Sequence, residues 1–438
     1  MNDVQKRIIL QNANTLEVSN LISLIEKGEI SIEEFKQAGL TVEKIRQIEG
    51  QINLEAAKER AAAEIARKEE EERLAKFKIQ EEKNEFLKKV VRKRVTVDEI
   101  RNKINNGYIS FDDLEDEGIS QRIINSIKYY SNSNRVTIFK KIDDLPPMEE
   151  GRTDVYFVGL PGSGKSTMLS GLLNVANKEG ILLPDTYSND GAVYQTQIVS
   201  DLRLINCSII TVSNDGAVYQ TQIVSDLSRG VLPNATASGS YNYVAMSLND
   251  DNKKKHPFNV VEVPGELYVN MFNNANVDDL LKYIKNSNKK ILIFVIDSLA
   301  HDTNYADAKS ALDQSLVYVN ILNMFKSSGI LNQTDAVYLV ANKFDAIKES
   351  RYDGDNRPDV DLAYEFLNEE FKNLLNNCTS IRDESKNKFK IKVLPYSIGK
   401  VSYEFIVEDF NRNYSSIVLN NLIEDSFVVK GGKWSLFN

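Results

Sequence analysis

The sequence predicts a mainly parallel α/β domain over about residues 150–400, preceded by an all-α region over residues 1–145. Three observations carry this. Up to residue 145 the chain is highly charged and reads as helix. From residue 150 onward, short β-branched runs such as Asp154–Val158 and Ile291–Ile296 alternate with amphipathic stretches. Between the two lies Leu145-Pro146-Pro147, where the prolines stop any helix and favour an extended linker.

Composition excludes several classes. With 42% hydrophobic and 27% charged residues over 438 positions, the chain has enough apolar material for a substantial core, so wholesale disorder is excluded. Fifty-four Lys and Arg against 63 Asp and Glu leave a net charge of -9, which gives no overall attraction to nucleic acid or to an anionic membrane. Ile291–Ile296 is the longest near-apolar run, far below the roughly 20 residues a spanning helix needs. The N-terminus has no signal-peptide pattern, and the expectation is a soluble, cytoplasmic protein. Cys207 and Cys378 cannot build a disulfide framework, and with only His256 and His301 a Cys/His zinc site is excluded. Any metal must take oxygen ligands.

The N-terminal region contains a diverged repeat, in which Leu21–Ile48 aligns without gaps on Ile100–Ile127. The corresponding modules, about 20–50 and 97–131, read as short helices with glycines at their ends (Gly28 and Gly39, Gly107 and Gly118) and Ser31 or Ser110 as N-caps. Between them Leu54–Arg94 has neither proline nor glycine and predicts one charged helix of roughly 60 Å. Its apolar positions keep no clean heptad, so a solvated spacer stands beside a coiled-coil dimer or a partner-binding helix. A second repeat is of another kind: SNDGAVYQTQIVSDL at Ser188–Leu202 recurs unchanged at Ser213–Leu227. The repeat reads as a recent tandem duplication or a sequence-assembly artefact; two identical segments compete for a single place in one domain, so one copy is expected in the fold and the other as a loop or a poorly specified helix.

The chemistry begins after the buried-strand signature Asp154–Val158. Gly159-Leu160-Pro161-Gly162-Ser163-Gly164-Lys165-Ser166-Thr167 is a full GxxxxGK[ST] phosphate loop in its strand-to-helix context. Its glycines let backbone N–H groups and a helix N-terminus face phosphates, Lys165 reaches the β and γ phosphates, and the Ser166 hydroxyl ligates Mg2+. The loop does not separate ATP from GTP.

Further along, the strand-like Asp335–Ala341 runs into Asn342-Lys343-Phe344-Asp345, which resembles the NKxD guanine motif of the translation-factor-related (TRAFAC) P-loop GTPases. The resemblance implies a Ras-like three-layer sandwich with GTP or GDP and Mg2+ as cofactors. In it, Asp345 accepts from guanine N1–H and the 2-amino group, Lys343 lies over the base and Asn342 ties this loop to the phosphate loop. Adenine lacks that donor pair, and leaving the carboxylate unpaired costs about 1–3 kcal/mol. Phe258–Glu266 is a strand followed by ExxG and resembles the family's DxxG: Glu262 takes the metal-side acid position, and the Gly265 N–H senses the γ phosphate. Glu262 replaces the usual Asp, and Glu266 stands where many relatives place a water-orienting Gln, so slow hydrolysis is expected. Ser397 and Ile398, after the strand-like Val393–Pro395, resemble the short loop whose N–H groups contact guanine O6. Thr236 is the candidate switch I ligand to Mg2+, with Ser238 as the alternative, inside an enlarged insertion over about 180–238. Arg229 is either an arginine finger or a surface residue. The segment 401–438 reads as a strand over Val401–Val407, a helix over Ser415–Ile423 and a tail with Trp434.

The expectation is a GTP-binding protein, a slow GTPase with Lys165, Glu266 and Thr236 as catalytic residues, switching a protein partner through the N-terminal helices. The alternatives are an ATP-dependent P-loop kinase and a non-hydrolysing GTP-binding scaffold.

Overall fold

A computed structural model describes residues 2–130, 141–183, 215–233, 240–272, 277–299 and 314–429. The chain divides into two compact units, Met1–Lys88 and Lys89–Asn438.

In the first unit, helices α1 (Asp3–Gln11), α2 (Val18–Glu26) and α3 (Ile32–Gln37) precede α4, which runs from Val42 to Val91. The core is small: Ala13, Leu21, Ile30, Phe35, Leu40 and Ile48. The long helix begins earlier than the 54–94 run read from composition, because the last helix of the first module continues into the charged segment without a break. Gly50 lies inside it and costs about 1 kcal/mol relative to alanine, too little to end fifty residues of helix. Residues 57–82 are exposed on every side, and ion pairs one turn apart, such as Lys68 with Glu64, lace its surface.

The second unit opens with α5 (Val97–Asn105), α6 (Phe111–Asp116) and α7 (Gln121–Tyr129). Each is displaced by 79 positions from its counterpart in the first unit. Ser31 and Ser110 both form capping boxes, with Glu34 and Asp113 respectively, and the paired glycines all take positive φ.

The sheet comes next along the chain. Its order is β2-β3-β4-β1-β5-β6-β7, with β1 (Thr153–Val158), β4 (Lys255–Glu262), β5 (Lys289–Asp297), β6 (Ala336–Asn342) and β7 (Lys390–Pro395) parallel along the centre. β3 (Asn242–Asn249) pairs antiparallel with β4, and β2 (Leu182–Leu183) closes that edge. Strands buried on both faces read as continuous apolar runs, which is why Ile291–Ile296 is legible from the sequence. Flanking the sheet are α8 (Lys165–Lys178), α9 (Asp215–Ser228), α10 (Gly265–Phe272), α11 (Asp278–Ile284), α12 (Gln314–Ser327), α13 (Phe344–Arg351), α14 (Asp359–Glu370), α15 (Lys372–Glu384) and α16 (Arg412–Asp425). The result is a mainly parallel sheet flanked by helices and preceded by an α-helical region.

One expectation changes. The single strand read over Val401–Val407 is a hairpin of β8 (Gly399–Ser402) and β9 (Ile406–Phe410). Tyr403 and Glu404 both take positive φ in the three-residue turn that brings Ser402 opposite Ile406. Asp359–Glu370 and Lys372–Glu384 are separate helices, broken at Phe371, whose ring is buried against the core.

This hairpin holds the second helical module. Val97 N–H donates to the Tyr403 carbonyl at 3.2 Å, the Tyr403 hydroxyl donates to the Val90 carbonyl at 3.0 Å, and the Tyr130 and Phe405 rings meet tilted by 32° with centroids 5.6 Å apart. On the α9 side, Tyr129 donates to Asp226 at 3.0 Å and Ser126 to the Arg229 carbonyl at 2.8 Å. Residues 97–130 are thus part of the same packed body as the sheet.

Candidate functional site

The chain passes from β1 straight into Gly159–Gly164 and then into α8, so a loop of small residues sits against a helix N-terminus. Backbone crowding explains the glycines. A Cβ at Gly159 would stand 2.5 Å from Ser163 Oγ, and one at Gly164, where φ is +92°, would stand 2.2 Å from Asn342 Nδ2. Ser163 is 1% exposed, and its hydroxyl, buried with no hydrogen-bond partner, is one that a phosphate oxygen would satisfy. Pro161, Gly162, Gly164, Lys165, Ser166 and Thr167 form one wall of an open cleft, and Leu232, Pro233, Gly265, Glu266 and Phe405 form the rest.

Lys165 is 6% exposed and folds onto its own loop, donating to the Gly159 carbonyl at 2.8 Å and the Leu160 carbonyl at 3.3 Å. Burial draws its ammonium down to about 8, against the opposing pull of Glu262 and Glu266. At neutral pH it is still a cation beside two carboxylates, able to exchange its carbonyl partners for phosphate oxygens.

Glu262 ends β4, the neighbour of β1, and is 1% exposed. Its Oε1 accepts a hydrogen bond from the Ser166 hydroxyl. Its Oε2 accepts from Tyr219 at 2.6 Å and from Asn242 Nδ2 at 3.1 Å. Gly265 opens α10 directly against the phosphate loop: a Cβ there would stand 2.4 Å from Pro161 N and 2.6 Å from the Leu160 carbonyl carbon, so no other residue fits. Tyr268, three residues on, donates to the Phe157 carbonyl at 3.1 Å and pins that helix to β1.

Asn342, Lys343 and Asp345 follow β6, and Ser397 and Ile398 follow β7, on the carboxyl edge of the parallel strands, where open α/β sheets take their ligands. Asn342 Nδ2 donates to the Ser163 carbonyl at 2.7 Å, so the two loops touch. Lys343 takes φ +60° and donates to Asp297 at 2.7 Å. Asp345 is half-buried in the first turn of α13. The Phe344 N–H donates to the Tyr396 carbonyl at 3.0 Å, which brings the buried Ser397 and Ile398 alongside.

Thr236 and Ser238 lie outside the described residues, as does the first SNDGAVYQTQIVSDL copy; the second forms α9. Arg229 comes directly after α9, and its guanidinium stacks 4.2 Å over the Tyr129 ring. Among the described residues no three His, Cys, Asp or Glu side chains stand together as a metal cage. One hydroxyl and one carboxylate nevertheless suit Mg2+, which takes few protein ligands and completes its shell with phosphate oxygens and water.

Sequence reasoning missed Tyr219, Asn242 and Asp297. Asp297 had a usable signal, since it ends a buried parallel strand on the ligand-binding edge of the sheet. Tyr219 and Asn242 had none: one lies in a segment present twice, the other reaches Glu262 only through strand register.

No protein-family profile and no curated protein matches this chain. Solved structures do. It is similar to the signal recognition particle receptor SRb-GTP/SRX complex of Chaetomium thermophilum at 14% identity and a TM-score of 0.30, covering 57% of this chain and 93% of that one. It is similar to the putative nucleolar GTP-binding protein 1 of Plasmodium falciparum at 13% and 0.28, covering 64% and 90%. The Ski7 GTPase-like domain of S. cerevisiae, bound to GTP, is similar at 16% and 0.31, covering 62% of this chain and half of that one. Similarity at this level fixes neither family nor activity, and the functional reading rests on the site.

Proposed function

We propose that this chain binds a guanine nucleotide with Mg2+, hydrolyses GTP slowly to GDP and phosphate, and works as a switch for a protein partner through its N-terminal helices. The observation that carries the reading is the 2.7 Å hydrogen bond from Asn342 to the Ser163 carbonyl. It joins a phosphate loop to an NKxD sequence, two motifs that are 179 residues apart in the chain. In this reading the loop N–H groups and Lys165 hold the phosphates, and Ser166 and Glu262 face Mg2+, whose charge offsets that of the phosphates. Asp345 selects guanine, Lys343 covers the base, and the Ser397 and Ile398 backbone closes the pocket around it. Gly265 would report the γ phosphate, Glu266 would orient water, and Thr236 would be a further ligand to the metal.

Competitive binding of GTP and ATP with Mg2+, on wild type and Asp345→Asn with xanthosine triphosphate as third competitor, tests this. GTP is expected to win in the wild type, and the variant to turn toward xanthosine triphosphate by tenfold or more. Equal binding of ATP and GTP, unchanged in the variant, would leave an ATP-dependent P-loop kinase as the better reading. One observation favours a scaffold that holds GTP without hydrolysing it: Glu266 lines the cleft and Glu262 bonds Ser166 of the same lining, placing two acidic side chains near the phosphates. Single-turnover phosphate release separates switch from scaffold.

A further inference from the structure

We propose that Tyr219 is the positioning residue that sets the Glu262 carboxylate at the candidate metal site, an inference that rests on the guanine-nucleotide reading above. Glu carries one more rotatable bond than the Asp expected at this position, and an unrestrained carboxylate would sample several orientations. Here that freedom is removed by partners from three elements. The Tyr219 phenol of α9 and the Asn242 amide of β3 both donate to Oε2, at 2.6 and 3.1 Å, while Ser166 of α8 bonds Oε1. Asn242 is the register partner of Glu262 across the β3–β4 pair, so it is in place whenever the sheet is formed. Tyr219 arrives only if α9 docks, and its rigid ring then turns the Oε1 side of the carboxylate toward Ser166.

The duplication makes the assignment a choice between two tyrosines, because Tyr194 occupies the same position in the first copy. The segments are identical up to Leu202 and Leu227, and their C-terminal flanks differ, Arg203-Leu204-Ile205 against Ser228-Arg229-Gly230. All three residues of the second flank are used. Ser228 Oγ accepts from Asn174 at 2.8 Å, the Arg229 guanidinium stacks on Tyr129, and Gly230 takes φ +74° where a Cβ would stand 2.6 Å from Ser126 Oγ. The isoleucine of the first flank would be strained at that position. The slot therefore selects the second copy, and with it Tyr219.

The test uses the full chain and a fluorescent GTP analogue, with affinity measured from excess EDTA through a Mg2+ titration. Tyr219→Phe is expected to need ten- to a hundredfold more Mg2+ to reach the half-point of the Mg2+-dependent gain, with its affinity in EDTA unchanged. Tyr194→Phe is expected to titrate as wild type. Asn242→Ala gives a smaller shift in the same direction and keeps the question answerable should Tyr219→Phe not fold. A Tyr219→Phe titration superimposable on wild type overturns the proposal. So does an equal shift in Tyr194→Phe, or a loss that is as large in EDTA as in Mg2+. A wild type that shows no Mg2+-dependent GTP binding would overturn the guanine reading itself, a result distinct from any of these.

Discussion

At the scale of single residues, the site is governed by how close two loops come. Gly164 and Asn342 share one small volume, and the amide reaches the Ser163 carbonyl only because position 164 has no side chain. Gly164→Ala forces a Cβ onto Asn342 at a left-handed backbone position, so two penalties add. The expected loss is about 1–3 kcal/mol in urea denaturation, together with at least a tenfold drop in nucleotide affinity by direct titration. A variant as stable and as tight as wild type would show that the contact between the loops is incidental. The glycines and the lysine of this loop were legible in the sequence, because they stand at fixed spacing within nine consecutive residues. The partners of Lys343 and Glu262 were not, because Asp297, Tyr219 and Asn242 are brought there by strand order and helix docking.

At the scale of elements, the β3–β4 hairpin carries a titration switch for stability. His256 begins β4 with its Nδ1 2.7 Å from Ser426 Oγ and its Nε2 3.6 Å from the Asp250 carboxylate. Burial holds its pKa below the ordinary value of 6.5, and Asp250 opposes that only in part. The unfolded chain therefore takes up a proton more readily than the folded one. The stability contribution is complete above pH 6.5 and is lost as pH falls below it. Thermal melts at pH 7, 6 and 5 should show wild type losing more than His256→Gln, which cannot charge; parallel losses would remove His256 from the acid limb. Strand periodicity misread residues 401–407, where Tyr403 and Glu404 break the run although neither is a usual turn residue. Tyr403 is fixed there by two hydrogen bonds, from its hydroxyl to the Val90 carbonyl and from the Val97 N–H to its own carbonyl.

At the scale of the whole molecule, the twin modules have the same helices and different surroundings. In the second unit, Ser126, Tyr129 and Tyr130 attach α7 to the sheet-bearing body, and the positions 79 residues earlier are Gln47, Gly50 and Gln51. The boundary for truncation is therefore Lys88 and not the proline seam. Removing residues 1–88 is expected to leave the melting temperature of the remainder and its nucleotide affinity nearly unchanged. Removing residues 1–145 uncovers Tyr403, Phe405 and Gly230, and the melting temperature should fall by roughly ten degrees or more. Equal melting of the two truncations would mean that residues 89–145 add nothing to the body.

The sequence by itself determined what is local: the glycine-rich turn between β1 and α8, the buried strands, the helix caps at Ser31 and Ser110, and the repeat of the modules. Each depends on residues within a few positions of one another, where spacing and backbone preference decide the outcome. Tertiary structure alone decided which tyrosine reaches Glu262, which module is built into the body, and which acid meets Lys343. These contacts join residues 43 to 97 positions apart. Identical or near-identical segments can be told apart only by whether the surrounding backbone accepts their flanking residues, as Gly230 shows against Ser126.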